Sequence, residues 1–362
     1  MGRVARGPRL ASLEPIVTMP RYVTVIRGDG VGAEVVDAAL RVLRSSGVDL
    51  AWEMHEAGAV ANIKLGDALP DETVRSIRRT GVCLRGPLEA PLGDGLQAEA
   101  RLRAELGVFA GVQPVRSKLA IAPSVRDVDL TVVREVSEAE YAAAERYSDQ
   151  DGDVVQYLST TTRSACELIV RFAFAQALRA RRRLVTLVHP GPILRLTGGL
   201  LIDVGRDIAK LYDAVGFEVM GVNDAMRKIV DAPSRFGIIV ASGICGAMVS
   251  GMATGLAGGL GTAAKMDVGM NAAVFAPEHG TMPEAAGKGT VNPTASILAG
   301  AMMLRFLGEN EAAEAIESAV CRVATEGKHL TPDLGGRAST MELADAVADR
   351  VRFLRSELTS RR

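Results

Sequence analysis

Short runs of β-branched and aliphatic residues alternate along the chain with longer segments whose apolar positions follow a helical spacing. Residues 22–26 (YVTVI) form one such run, and residues 184–189 and 236–240 form two more. The first run leads through a glycine turn into a segment with helically spaced apolar residues (Val35, Val36, Ala39, Leu40, Val42 and Leu43). Strands that alternate with helices of this length predict an α/β fold with parallel strand pairing.

The most apolar stretch runs from residue 236 to residue 269 and is rich in glycine and alanine. It contains no charged residue between Arg235 and Lys265. An uncharged run of about 20 apolar residues is long enough to span a membrane, and the spacing of Gly251, Gly255 and Gly259 would suit helix packing in lipid. The short strand predicted at its start is typical of a globular fold, so we predict no membrane span.

Length and charge narrow the class of protein. The 362 residues suffice for two domains or for one large discontinuous domain. The formal net charge is -1, so the chain has no basic excess that would indicate nucleic-acid binding. Four cysteines without a CxxC pair indicate reduced thiols in a cytoplasmic protein. The Arg-rich residues 1–20 are expected to be a disordered tail, with a transit peptide as the alternative.

Several short motifs follow one another in a fixed order. The first half contains residues 28–32 (GDGVG), 85–87 (RGP), 102–103 (LR) and 134–135 (RE). The second half contains residues 278–281 (EHGT), 286–288 (AGK), 292–295 (NPTA) and 331–336 (TPDLGG). In this order and at this spacing, the motifs resemble those of the isocitrate/isopropylmalate dehydrogenase family over roughly residues 22–354.

The resemblance implies a fold and an assembly. In that family both ends of the chain build a large α/β domain, the middle builds a smaller α/β domain, and the active cleft lies between the two. We therefore expect residues 21–118 and 270–362 to form the large domain and residues 119–269 to form the small one. The small domain carries the contacts between subunits in the family, so a homodimer is expected.

The resemblance also places a metal site where this chain carries no carboxylate. The family binds a divalent cation through three aspartates, and the matching positions here are Asn223, Ala247 and Gly251. Such cations need several carboxylate oxygens, and Asp224 lies one residue out of register, about 100° away around a helix. The family's catalytic lysine is matched by Pro190, which cannot titrate. We therefore expect no metal site, and Mg²⁺ is not an expected cofactor.

Other matching positions keep groups suited to substrate binding and proton transfer. The resemblance implies that Arg103 and Arg134 bind substrate carboxylates and that Tyr141 acts as the catalytic acid. Four further positions are assigned to the same substrate cleft: Asn223, Lys228, Ala247 and Gly251. The alternative for each arginine is an ordinary salt bridge at a domain edge.

The C-terminal motifs match the loop with which the family binds its nicotinamide nucleotide. The predicted cofactor contacts are His279, Gly280, Thr281, Glu284, Asn292 and Asp333. An acid at this point of the family's loop accepts hydrogen bonds from the adenosine ribose and repels a 2'-phosphate, so a bound nucleotide would be NAD rather than NADP. The alternative is that the loop only packs between the C-terminal helix and the sheet.

The substituted cleft favours one function over two alternatives. We expect an enzyme that acts on a small-molecule substrate without metal or net redox change, such as a cyclase, isomerase or lyase. No cofactor would be required for that chemistry, although NAD remains a candidate ligand. The first alternative is a non-catalytic regulatory homologue that binds a nucleotide or carboxylate, together with a catalytic partner. The second is an NAD-dependent dehydrogenase of an unusual 2-hydroxy acid.

Overall fold

One long sheet runs through the molecule and carries helices on both faces. The computed structural model describes residues 21–89, 98–117, 127–141, 144–148 and 151–360. The disordered tail predicted for residues 1–20 lies outside this part of the chain.

Twelve strands occur in the described residues. They are β1 (Arg21–Ile26), β2 (Leu50–His55), β3 (Val82–Arg85), β4 (Val108–Arg116), β5 (Asp129–Glu135), β6 (Ala144–Tyr147), β7 (Val155–Leu158), β8 (Leu184–His189), β9 (Gly216–Gly221), β10 (Ile238–Ala241), β11 (Ala264–Gly269) and β12 (Ala273–Pro277). Ten of them form the sheet in the order β2-β1-β3-β12-β11-β4-β5-β10-β8-β9, and β6 and β7 form a separate hairpin.

Eleven α-helices occur in the same ranges. They are α1 (Gly32–Ser45), α2 (Ala59–Leu65), α3 (Asp71–Thr80), α4 (Ala98–Leu106), α5 (Arg163–Arg179), α6 (Arg195–Ala209), α7 (Val222–Asp231), α8 (Gly243–Ala257), α9 (Thr294–Phe306), α10 (Asn310–Glu326) and α11 (Thr340–Ser360). None of these helices is long and apolar enough to cross a membrane.

The predicted α/β class is confirmed, but the prediction of parallel pairing is wrong at the centre of the sheet. The pairs β12–β11, β11–β4 and β4–β5 are antiparallel, while the outer pairs are parallel. Strands β11 and β12 are joined by only residues 270–272. So short a connection can join only antiparallel neighbours, because a parallel crossover needs a dozen or more residues.

The apolar stretch at residues 236–269 divides into β10, α8 and β11. All four residues of β10 are buried, as expected for a strand covered on both faces. Helix α8 has 15 residues and buries one side against β4 and β5, whereas Ile244 and Met248 on its other side are exposed. Packing on the sheet therefore accounts for the lack of charge on the buried side of α8.

Two main cores pack against the sheet. One joins α1, α9, α10 and α11 to β1, β3 and β12, and the other joins α5 and α6 to β4, β8 and β10. Helices α7 and α8 cover the opposite face near β5 and β10 with a third core. The division of the chain into the two predicted domains stays a prediction.

Candidate active site

Seven charged side chains meet on one face of the sheet, and we call them the ionic cluster. They come from β3, α4, β5, β11 and the residue after β12. The members are Arg85, Glu99, Arg103, Arg134, Lys265, Asp267 and Glu278. Residues far apart in the sequence therefore supply a single site near the middle of the sheet.

Glu99 is the central anion of this cluster. Its Oε1 lies 3.0 Å from Arg85 Nη2, 2.6 Å from Arg103 Nη2 and 3.0 Å from Lys265 Nζ. Burial alone would raise the pKa of the Glu99 carboxyl, but the three nearby cations outweigh burial and lower that pKa below its ordinary value. Glu99 is therefore a fixed counter-ion and is poorly suited to accept or donate a proton.

Arg103 and Arg134, which the sequence assigned to the substrate cleft, both belong to the ionic cluster. Arg103 Nε lies 3.3 Å from Asp267 Oδ2, and the Arg103 guanidinium lies 5.1 Å from the centre of the Tyr141 ring. Arg134 Nη2 lies 3.6 Å from Glu278 Oε1. Tyr141, which is 37% exposed, therefore lies at the rim of the cluster, where a bound molecule could reach it.

Several buried polar atoms of the cluster have no hydrogen-bond partner. They include Arg134 Nε, Asp267 Oδ1 and Arg85 Nε. A Cβ atom at Gly111 would lie 3.5 Å from Arg134 Nε and 3.5 Å from Asp267 Oδ1. The missing side chain at Gly111 thus leaves both unpartnered atoms facing one small space. Buried polar atoms normally find a partner, so these two atoms keep unused hydrogen-bonding capacity.

Helix α8 fixes the side chain of Arg134. Gly246 on this helix packs so closely that a Cβ atom there would lie 2.4 Å from Arg134 Cγ. Any larger residue at position 246 would displace the arginine. The glycine content that gave this segment its apolar character therefore positions a charged side chain.

Strand β11 separates the ionic cluster from a cavity of mixed polar and apolar lining on the other face of the sheet. Lys265 and Asp267 point into the cluster, whereas Ala264, Met266 and Val268 line a cavity of about 360 Å³. Alternate residues of a strand face opposite sides of its sheet. The cavity is lined by none of the predicted site residues, so it is distinct from the candidate active site.

Residues 279–292, which we call the docked loop, are held tightly against the first glycine turn. The carbonyl oxygen of Thr281 accepts a hydrogen bond of 2.9 Å from the N–H of Val31. The Thr281 hydroxyl donates to the Glu89 carboxylate. Gly30 has φ +55° and a Cβ there would lie 2.0 Å from the Thr281 oxygen, so only glycine allows this approach.

Glu34 holds the other end of the docked loop. Its carboxylate, in the first turn of α1, accepts hydrogen bonds from the N–H groups of Gly287 and Gly289. Farther along, Asn292 Nδ2 donates to Asp333 Oδ2 over 3.1 Å, so these two predicted cofactor residues lie together. Gly280, Glu284 and Asp333 are exposed. The loop is therefore a formed surface with its exposed groups directed to solvent.

His279 is the one predicted cofactor residue of this loop with a buried unpartnered atom. Its Nδ1 lies 2.9 Å from the Gly280 oxygen, while Nε2 has no hydrogen-bond partner. Burial lowers the pKa of His279, so the ring is neutral at pH 7. The ring therefore holds one buried nitrogen whose hydrogen-bonding capacity is unused.

The remaining predicted cleft residues lie on the helix pair α7 and α8. Asn223, Ala247 and Gly251 are exposed and Lys228 is half-buried. Neither Asn223 nor Lys228 forms an ion pair or side-chain hydrogen bond with the described ionic cluster. Within the described ranges, no group of three or more His, Cys, Asp or Glu side chains is arranged to hold a metal ion.

Comparison with known proteins identifies the family. A family model described as isocitrate/isopropylmalate dehydrogenase matches residues 22–347. The chain belongs to the isocitrate/isopropylmalate dehydrogenase family. The 3-isopropylmalate dehydrogenase of Archaeoglobus fulgidus is 40% identical to this family member over 328 residues, 91% of this chain and 98% of that protein.

Two further similar proteins support membership of the same family. The mitochondrial NAD isocitrate dehydrogenase catalytic subunit 5 of Arabidopsis thaliana is 34% identical and covers 92% of this chain and 89% of its own length. The crystal structure of isocitrate dehydrogenase from Methylococcus capsulatus has a TM-score of 0.88 at 40% identity, covering 92% of this chain and 99% of that one.

These family relatives overturn two predictions made from the sequence. The predicted non-redox function is wrong, because relatives at 34–40% identity over most of the chain are named dehydrogenases. The prediction that no cofactor is required, with Mg²⁺ not expected, is wrong too, since dehydrogenases of this family use NAD(P) and a divalent cation. The described side chains nevertheless do not assemble the donor set that such a cation needs.

Of the seven members of the ionic cluster, sequence analysis assigned only Arg103 and Arg134 to the site; the five not assigned are Arg85, Glu99, Lys265, Asp267 and Glu278. Lys265 and Asp267 end the uncharged stretch, and Glu278 precedes the docked loop. A usable signal was present, because Lys265 and Asp267 stand two residues apart in an otherwise apolar strand and must share a face. Two charges on one face of a buried strand indicate a polar site on that face.

Proposed function

We propose that this protein is an NAD-dependent dehydrogenase of a small 2-hydroxy acid. One observation carries the proposal: Glu278 belongs to the ionic cluster, and the next residue, His279, begins the docked loop. A site rich in arginine, suited to a carboxylate, is thereby continuous with a surface suited to a nucleotide. Relatives named as NAD and NADP isocitrate dehydrogenases support the same function.

The proposed roles follow from the contacts. Arg103 and Arg134 bind the substrate carboxylate, since a guanidinium offers two parallel donors to a carboxylate. Tyr141 lies at the rim beside Arg103 and is the proposed proton-transfer group of the site, with the role of acid that the family resemblance implies. NAD, held by the docked loop, would supply the hydride acceptor for the carbon that carries the substrate hydroxyl. Asn223, Lys228, Ala247 and Gly251 would line the outer part of the cleft on α7 and α8.

The docked loop is proposed to hold the cofactor. His279, Gly280 and Thr281 would contact its adenosine half, with Asn292 and Asp333 at the far end of the loop. Glu284 is exposed and would accept hydrogen bonds from the ribose hydroxyls. An acid in that place repels a 2'-phosphate, which supports NAD over NADP.

We also propose a homodimer. The hairpin β6–β7 exposes Tyr147, Val155, Tyr157 and Leu158, and α8 exposes Ile244 and Met248. A second copy could cover these apolar side chains. Association with a catalytic homologue is the alternative, and size-exclusion chromatography with light scattering separates the two. The four cysteines, all within the described residues, form no disulfide, which supports a cytoplasmic setting.

The test is formation of NADH, followed at 340 nm, with a panel of 2-hydroxy acids and with Mg²⁺ present. Arg134→Met should lower kcat/KM for the active substrate by about 100-fold or more, because the substrate carboxylate loses a charged pair of hydrogen-bond donors. Arg134→Lys keeps the charge and should recover part of the activity. Arg182→Met, which breaks an exposed pair with Asp129, is the control and should leave activity unchanged.

Tyr141→Phe separates proton transfer from binding. Loss of the hydroxyl should lower kcat by about 100-fold or more while KM changes little. No NADH from any acid in the panel, with protein shown to be folded by circular dichroism, would contradict the proposed function.

A further inference from the structure

The cavity on the face of the sheet opposite the ionic cluster, which we call the rear cavity, lies where two central strands separate. Strands β4 and β11 pair only as far as Val112 and Met266, although β4 runs on to Arg116 and β11 already starts at Ala264. Pro114 of β4 has no N–H to donate to β11. The break in pairing opens a space of about 360 Å³, and small-molecule sites occupy about 300–1,000 Å³.

The lining of the rear cavity is apolar where it is buried and cationic where it approaches solvent. Buried apolar side chains come from β4, α5, β10, β11 and α9: Val112, Phe172, Ile238, Val268 and Leu298. The charged lining residues are one acid, Glu317, and four arginines that are at least partly exposed: Arg116, Arg179, Arg182 and Arg305. A ligand with an apolar body and an anionic head would match both parts of this lining.

Arg179 is the arginine of this lining whose charge is not already used. Each of the other three pairs with an acid, Asp129 or Glu317. Arg179 forms neither an ion pair nor a side-chain hydrogen bond with another residue in the part of the chain that the structure describes. An anionic group can therefore bind Arg179 without displacing a counter-ion of the protein.

Helix α5 presents Arg179 together with two further lining residues. Phe172, Gln176 and Arg179 follow one another at spacings of four and three residues, so they share one face of the helix. Gln176 is half-buried, and among the described residues its side-chain amide also has no hydrogen-bond partner. The guanidinium and the amide can both donate to one carboxylate, while Phe172, which is 3% exposed, lies where an apolar chain would be buried.

Strand β11 is the wall that the rear cavity shares with the ionic cluster. Met266 lines the cavity, whereas its neighbours Lys265 and Asp267 belong to the cluster. Lys265 Nζ also lies 3.3 Å from Glu278 Oε2, directly before the docked loop. A ligand that packs against Met266 therefore acts on the strand that positions these charges. Sites that bias a common element are coupled, and such coupling is reciprocal.

We propose that the rear cavity is an effector site for an organic monocarboxylate with an apolar body. The carboxylate binds Arg179 and Gln176, and the apolar body packs against Phe172 and the buried side chains beside it. One unpaired cation fits one negative charge, and Glu317 in the lining disfavours a second. The ligand site does not depend on the proposed dehydrogenase function.

The first experiment titrates the protein calorimetrically with straight-chain carboxylates from butanoate to decanoate. Affinity should rise by up to about fourfold for each added CH₂ group, equivalent to about 0.8 kcal/mol, and level off once the cavity is filled. Alcohols of equal length should bind at least about tenfold more weakly, because they offer Arg179 no charge. Failure of every carboxylate to bind, or equal affinity for carboxylate and alcohol, would overturn the proposal.

Variants test whether the carboxylates bind in the rear cavity. Arg179→Met keeps an apolar stem at an exposed position, so it should weaken octanoate binding by about tenfold or more and leave octanol binding unchanged. Met302→Trp fills part of the cavity and should weaken the binding of both. Arg163→Met removes an exposed arginine from the other end of α5, outside the cavity lining, and is the control. Unchanged octanoate affinity in Arg179→Met would overturn the site.

Titrations with and without saturating NAD⁺ test the effector role. The affinity for octanoate should change by about fivefold or more when NAD⁺ is present, and octanoate should change the affinity for NAD⁺ by the same factor. Equal octanoate affinities under the two conditions would overturn the effector role and leave the ligand site. Absence of NADH formation with every 2-hydroxy acid would remove the proposed function and leave the carboxylate site intact.

Discussion

The docked loop and the ionic cluster meet at Glu278 and His279, yet they satisfy their polar groups in opposite ways. In the loop, Glu34 accepts hydrogen bonds from Gly287 and Gly289, and Val31 donates to Thr281. In the cluster, buried atoms of Arg85, Arg134 and Asp267 have no hydrogen-bond partner, although the three residues form ion pairs. The loop leaves one such side-chain atom, His279 Nε2, whereas the cluster leaves several.

This difference indicates that the contacts of the loop mainly stabilise its structure, whereas the groups of the cluster are available for binding. A loop whose backbone groups are already bonded offers a ligand a rigid surface at little ordering cost. Unsatisfied buried donors and acceptors, in contrast, cost free energy until something bonds to them. We therefore expect mutations in the cluster to affect both stability and substrate, and mutations in the loop to act mainly on the loop and on the nucleotide.

Glu99→Gln should have the largest effect on stability. It leaves Arg85, Arg103 and Lys265 without their shared counter-ion, and removal of one partner from a buried ion pair costs roughly 3–5 kcal/mol. Because Glu99 is 26% exposed, we expect about 3 kcal/mol, measured by urea denaturation. The control is Glu56→Gln, which breaks an exposed pair with Lys64 and should cost less than about 1 kcal/mol.

Glu34→Gln tests whether the loop depends on its own contacts. The substitution weakens two charge-assisted hydrogen bonds to backbone N–H groups, so we expect a loss of about 2 kcal/mol and weaker NAD binding. Glu72 also lies in the first turn of a helix, α3, and is exposed, so Glu72→Gln is a control for the helix-end charge. Equal effects of the two variants would mean that the hydrogen bonds from Gly287 and Gly289 to Glu34 add nothing to stability or to NAD binding.

Local features of the fold were predictable from the sequence. The alternation of strands with helices predicted the α/β class, and the predicted strand at residues 184–189 agrees with β8. The antiparallel centre was not predicted, because it depends on which strands meet across the sheet. The motifs near Gly30 and His279 lie 249 residues apart, but their spacing was recognisable because each motif is a short local pattern.

The ionic cluster was much harder to predict than the docked loop. Its members come from five separate elements, and charge pairing between distant residues leaves no periodic signal. The sequence analysis considered the glycines of α8 for helix packing and for lost metal ligands, whereas the absence of a side chain at Gly246 leaves room for the Arg134 side chain. The predicted function failed for a related reason: missing acids were weighed more heavily than the many family motifs that the chain retains.

The pH dependence of stability should show a smaller effect than these substitutions, but one that is specific to individual carboxyl groups. The pKa of Glu99 is lowered in the folded protein, so its contribution to stability is present above its ordinary pKa of 4.5 and is lost as the pH falls below that value. Glu99→Gln should therefore flatten the loss of stability between about pH 5 and pH 3. Burial raises the pKa of Glu135, so protonation of Glu135 at falling pH favours the folded state. Glu135→Gln should therefore steepen the loss of stability as the pH falls.

His279→Phe should give the smallest effect and the sharpest test of the loop. The variant keeps a ring of similar size but removes the unpartnered buried Nε2, so a lost hydrogen bond of about 1 kcal/mol should weaken NAD binding about fivefold. Because burial lowers the pKa of His279, wild-type affinity should not change between pH 7 and pH 8. The exposed His329→Phe is the control. Unchanged NAD affinity in His279→Phe would mean that His279 only packs in the loop. Of the two regions compared, the ionic cluster alone would then be supported as a ligand site.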